Sequence, residues 1–169
     1  MLAEVRSDME RLQLPTWIKP APSHPGDADW GKFNADNWRS FGLINLPITL
    51  TRVWGDLPQD TREYQMLENY MHLVTAIKLS TMRKITPEHI AAYQMHMHLY
   101  LSSLLKLYPN TSIVPYQHLS LHFGSLLERF GPTHSWRCFP FERYNHQMQE
   151  LPTNKRFGMS TYNLAWVRH

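Results

Sequence analysis

The sequence predicts an all-α fold, an irregular bundle of about six helices behind a long Pro-rich N-terminal arm. Three observations predict it. Apolar residues recur at three- and four-residue intervals over most of the chain, and strand-like alternation is nearly absent. Helix-opening signatures, Asn34 and Thr86-Pro87-Glu88, stand ahead of such runs, and Gly131-Pro132 closes one. Hydrophobic residues make up 43% and charged residues 18% of the 169 positions, an ordinary globular composition with aromatic surface to bury.

The elements follow in order. A first amphipathic helix is expected from Ala3 to Leu12, with Val5, Met9 and Leu12 on one side and Pro15 beyond its end. Residues 16–33 carry Pro20, Pro22, Pro25 and Gly26, the composition of an extended arm. Trp17, Ile18 and Trp30 are its expected anchors. Asn34 is the expected N-cap of a second helix through Asp36, Trp38 and Phe41. Pro47 interrupts that pattern, so either two short helices or one kinked helix is expected, ending at Gly55. A long helix from about Asp60 to Met82 places Leu67, Tyr70, Met71, Val74 and Ile77 on one stripe. Thr86 caps the next, with Pro87 in its first turn, and Ile90, Tyr93, Met97, Tyr100, Leu101 and Leu104 repeat until Pro109. These two helices should pack antiparallel. A fifth helix from about Tyr116 to Phe130 is expected to turn Leu119, Phe123, Leu126, Leu127 and Phe130 inward. A sixth should begin near Pro140. The expected organisation is one domain: helix and arm over 1–33, helical core over 34–151, weakly ordered tail over 152–169.

Charge and cysteine narrow the function classes. The formal net charge is +3 and the sequence pI is near 9.1. The 17 basic residues are scattered among 14 acidic ones, so charge alone does not argue for nucleic acid. The single cysteine, Cys138, allows no internal disulfide and fits a reducing compartment. No apolar run approaches the roughly 20 residues of a membrane span, and residues 1–14 lack the apolar core of a secretory signal. A soluble, intracellular protein with no membrane partner is expected.

His118 and His122 stand four apart, on one helix face, a spacing at which two imidazoles can share a metal ion. The segment lacks the Glu of the zinc-protease pattern, and the sequence offers no third ligand nearby, so a surface or structural role competes with metal binding. His96 and His98, two apart, diverge on a helix. His89, His134 and His146 form no group. There is no glycine-rich phosphate loop and no Gly-x-Ser-x-Gly elbow. The densest segment is Phe130-Gly-Pro-Thr-His-Ser-Trp-Arg-Cys-Phe-Pro-Phe-Glu-Arg-Tyr-Asn145. It reads either as a helix start pinned by Trp136, Phe139 and Phe141 with a salt-bridged rim, or as a carboxylate, Glu142, held at a helix N-terminus to bind a metal.

That segment resembles the "FGP-hsW-FPFERyN" region of transposase-derived open reading frames related to CACTA (En/Spm-like) elements, abundant in mushroom-forming fungi. Upstream, Leu14-Pro-Thr-Trp-Ile18, Gly31-Lys-Phe-Asn-Ala-Asp-Asn-Trp-Arg39, Leu46-Pro-Ile-Thr-Leu50 and His118-Leu-Ser-Leu-His122 resemble further family segments. They occur in the family's order over roughly residues 10–160.

The resemblance implies a cut-and-paste transposase with a ribonuclease-H-like core, in which three acids bind two Mg2+ or Mn2+ ions for phosphodiester chemistry. By that resemblance Glu142 is the candidate third acid, and Asp36 a candidate helper. Arg137, Arg143 and His134 are candidate binding residues of the same segment. The other core acids lie upstream in the family. The expectation is therefore a truncated C-terminal part of a transposase, without catalytic turnover and needing no cofactor on its own. Its implied partners are the missing core and possible DNA; a lost core would also leave an apolar face open to self-association. The family implies the nucleus. Two alternatives stay open: a standalone helical module that binds protein or DNA, and a metal-binding protein using His118 and His122.

Overall fold

Local sequence signals set most of the helix boundaries. The structure, a computed structural model, describes residues 1–25, 33–136 and Tyr144. Among the described residues every regular element is helical, as the periodicity predicts. The chain divides into two units, Met1–His134 and Ser135–His169. The expected helix near Pro140, the tail over 152–169 and the anchor Trp30 lie outside the described residues, as do Glu142, Arg137 and Arg143.

Helix α1 spans Leu2–Arg11. Its Val5 is fully buried, in a cluster with Ala21 of the arm and Phe41, flanked by Met9, Phe33 and Leu46. Arg52 clasps α1 from outside, donating to Glu4 at 2.6 Å and to Asp8 at 3.0 Å. The arm departs from expectation at Trp17, which is 83% exposed. The Ser40 hydroxyl holds the arm instead, donating to the Lys19 carbonyl at 2.7 Å.

Helix α2 spans Ala35–Ser40, and Asn34 caps it: its side chain accepts from the Asn37 N–H at 2.8 Å. Phe33, Trp38 and Phe41 stack around this start, with Phe33 edge-on to Phe41 at 5.5 Å between centroids. Beyond Ser40 the chain continues helically through one π turn, Phe41–Asn45, into α3, Leu46–Trp54. Pro47 therefore neither splits the helix nor stops it. The Leu46 N–H bonds the Phe41 carbonyl, five residues back. Pro47 has no N–H to offer Gly42 in that register. The Gly42 carbonyl accepts instead from the Tyr70 hydroxyl at 2.6 Å. The wide turn thus accommodates the proline, and a side chain from the next helix supplies the donor that proline lacks.

Helix α4, Arg62–Ser80, begins at its cap Thr61. Helix α5, Pro87–Leu107, begins at Thr86, where His89 completes a capping box: its Nδ1 accepts from the Thr86 N–H while its own N–H donates to Thr86. The two run antiparallel, as expected. Arg62 donates to the Leu107 carbonyl, and Asn69 to the Tyr100 carbonyl and to Ser103 Oγ, both at 2.7 Å. Leu67, Val74, Ala76, Tyr93, Met97 and Leu101 are buried along these two helices. Each such large side chain contributes roughly 1.5–3 kcal/mol when fully withdrawn from water.

Helix α6, Pro115–Phe130, packs against α5 and stops at Gly131, whose φ of 73° suits glycine. Its buried positions are Gly124 and Leu127. The expected inward face is rotated, since Leu119 is 57% and Phe130 55% exposed. Gly124 lies on the buried line instead. A Cβ there would meet the Gln94 side chain at 2.7 Å, so glycine lets α6 approach α5 along this line. A short helix, α7, follows at Thr133–Trp136, and the Thr133 hydroxyl donates to the Ser80 carbonyl at the end of α4.

Candidate functional site

Two features of the helical layer can do chemistry or bind: an open apolar groove and two histidine pairs. The groove runs between α4, α5 and α6 and encloses about 770 Å3. Leu73 and Ile77 form one wall, Leu119, Phe123 and Leu126 the other, and Tyr93 lies in the floor. Burial of Tyr93 pushes its phenol up to about 12. The phenol therefore stays protonated and donates to the Ser120 carbonyl at 2.7 Å, tying α5 to α6.

The first histidine pair is the predicted one. His118 and His122 are both exposed on α6, with their Nε2 atoms 3.4 Å apart and their rings inclined at 75°. One helical turn sets this spacing, because residues four apart stack on one face. His122 also lines the groove.

The second pair was not legible in the motif pattern. His72 of α4 and His96 of α5 approach to 2.8 Å between Nδ1 atoms, with ring centroids 5.1 Å apart. One ring must donate and the other accept, so this contact needs at least one neutral imidazole. Burial first, and then the charge of His96, push His72 below the ordinary histidine range, against the opposing pull of Glu68. A signal for this pair did exist: each residue stands twelve positions from Lys84, in the connection of an antiparallel helix pair.

Comparison of the chain with protein-family models, with curated proteins and with solved structures finds no match.

The other sequence-predicted residues are dispersed. Asp36 is exposed in the first turn of α2, where it faces the favourable end of the helix dipole. His134 is exposed on α7. The structure does not bring either to the histidine pairs. Among the described residues, no group of three or more His, Cys, Asp or Glu is placed to hold a metal ion, and no helix is long and apolar enough to cross a membrane.

Proposed function

We propose that this chain is a transposase-derived helical module, similar to the region that follows the catalytic core in CACTA-type elements, and that it docks partners without cutting DNA itself. The observation that carries the reading is the ordered set of family-like segments. Two of them fall at joints of the fold, whereas Leu14–Ile18 carries the exposed Trp17. Asn34–Arg39 is the capped start of α2 under the aromatic cluster. Leu46–Leu50 is the turn that follows the π segment, with Pro47, Thr49 and Leu50 buried. His118–His122 is one exposed turn of α6. By the same resemblance Glu142 is a relic of the acid triad, which would hold Mg2+ or Mn2+ only together with acids of the core.

The test mixes the purified chain with element-end DNA and Mg2+ or Mn2+, alone and with a CACTA-type transposase core supplied in trans. The expected result is no cleavage or strand transfer by the chain alone, and retention of the chain on the immobilised core. Cleavage by the chain alone, or no retention on the core, sinks the reading.

A second reading, a standalone helical binding module, is favoured by the groove between α4, α5 and α6, whose lining is largely apolar. A salt-sensitive shift of labelled DNA would assign it to nucleic acid, since phosphate contacts release counterions.

A further inference from the structure

We propose that His118 and His122 are half of a zinc site, completed by the same two residues of a second copy of the chain. Their Nε2 atoms are 3.4 Å apart. Two nitrogens on a tetrahedral zinc ion, each about 2.0–2.1 Å from the metal, are about 3.3–3.4 Å from one another. Neighbouring ligands of a square-planar ion at similar bond lengths would be about 2.8 Å apart, which makes tetrahedral zinc the better fit than copper(II) or nickel(II).

The surroundings suit a cation. The positions one turn away on either side are Val114, Pro115, Leu121, Leu119, Ser125 and Leu126, none of them charged. No lysine or arginine of this helix face therefore repels the ion. No carboxylate completes its ligand set either, and no third donor joins the pair among the described residues. Two imidazoles leave two tetrahedral positions open, whereas a closed zinc site takes four protein ligands.

A second copy supplies what is missing. A two-fold interface sets the same patch of each copy against the other, so one pair brings its equivalent. The patch is also apolar: Tyr116 is 83% and Leu119 57% exposed beside the pair. Pairing on this face covers that surface as it closes the metal site. Zinc takes neutral imidazoles, so the assembly comes apart in acid. The site does not depend on a transposon origin, and zinc stoichiometry and mass are independent of DNA or core binding.

The full chain is titrated with zinc chloride at pH 7.5 by calorimetry, and its mass is followed by light scattering with zinc and with EDTA. The expected result is one zinc per two chains, a dimer in zinc and a monomer in EDTA. Cobalt(II) in place of zinc should give the intense visible absorption of a tetrahedral ion. His118→Ala and His122→Ala should each abolish binding and dimer, with circular dichroism unchanged. His98→Ala, at an exposed histidine of α5, should alter neither. Zinc heat that survives in the double alanine variant overturns the proposal. So does one zinc per monomer without dimer, or a dimer that persists in EDTA.

Discussion

His72 and His96 meet across the α4–α5 interface with their Nδ1 atoms 2.8 Å apart, closer than any bond could hold two imidazolium rings. The contact links protonation to helix packing. Burial and the neighbouring charge of His96 depress His72 in the fold, so the folded state favours its neutral ring. The stability this contributes is fully present above about pH 6.5, the unfolded value. It is lost as pH falls from there through the lower folded value.

Thermal melts should therefore show a lower midpoint at pH 5 than at pH 7.5. Once both rings are protonated they are both donors, and a hydrogen bond worth about 1 kcal/mol is lost. At this chain length that corresponds to roughly 2–4 °C. His72→Gln should flatten this part of the pH dependence, and a slope unchanged in that variant would refute the assignment to His72.

Tyr70→Phe tests the satisfaction of the π turn. Burial pushes the Tyr70 phenol up to about 12, so it remains a donor at any working pH. Without it the Gly42 carbonyl loses its side-chain partner. The expected cost in denaturant unfolding is about 1–3 kcal/mol, the range for a stranded buried polar group. A neutral substitution would mean that the carbonyl finds water or a helical N–H.

The rotation of α6 gives a contrast within one helix. Leu127 is 1% exposed and Leu119 57%. Leu127→Ala should cost about 2–5 kcal/mol, as for other fully buried leucines. Leu119→Ala should stay within about 0.5 kcal/mol, as surface changes do. Equal effects from urea titrations would contradict the orientation of the helix.

Gly131→Ala should destabilise although nothing lies near the added carbon. The backbone there has φ 73° and ψ −156°, a region open essentially to glycine alone. The expected cost is about 1–3 kcal/mol. An alanine variant as stable as the parent would show that the chain can leave α6 by another route.

Much of this fold was legible because its signals are local. Asn34, Thr86-Pro87 and Gly131 act on their own helix ends, and each does what its chemistry predicts. Facing was harder. Periodicity identified a stripe on α6 containing Leu119 and Phe130, but the buried line runs through a glycine. Gly124 has no side chain to count as apolar, yet it is buried, against the Gln94 side chain of α5. Polar contacts between helices were missed for a related reason: buried Asn69 and the half-buried His72–His96 pair bond across to the neighbouring helix. At the candidate site, the turn that joins His118 to His122 is written in their spacing. Glu142, Arg137 and Arg143 fall outside the described residues, so their expected roles rest on the resemblance alone.

The wide turn at Phe41–Asn45 has a consequence for how length changes would act here. A regular helix advances each residue by about 100°, so one additional residue taken up by a bulge sets the two flanking stretches out of phase by that angle. The aromatic face of Trp38 and Phe41 and the inward face of Thr49 and Leu50 are each correct only with that offset. Deleting one residue between 41 and 45 could leave the rod straight and fully helical. It would then turn Phe41 away from Val5 while α3 kept its seat. The helix content would survive, and the docking of the arm would not.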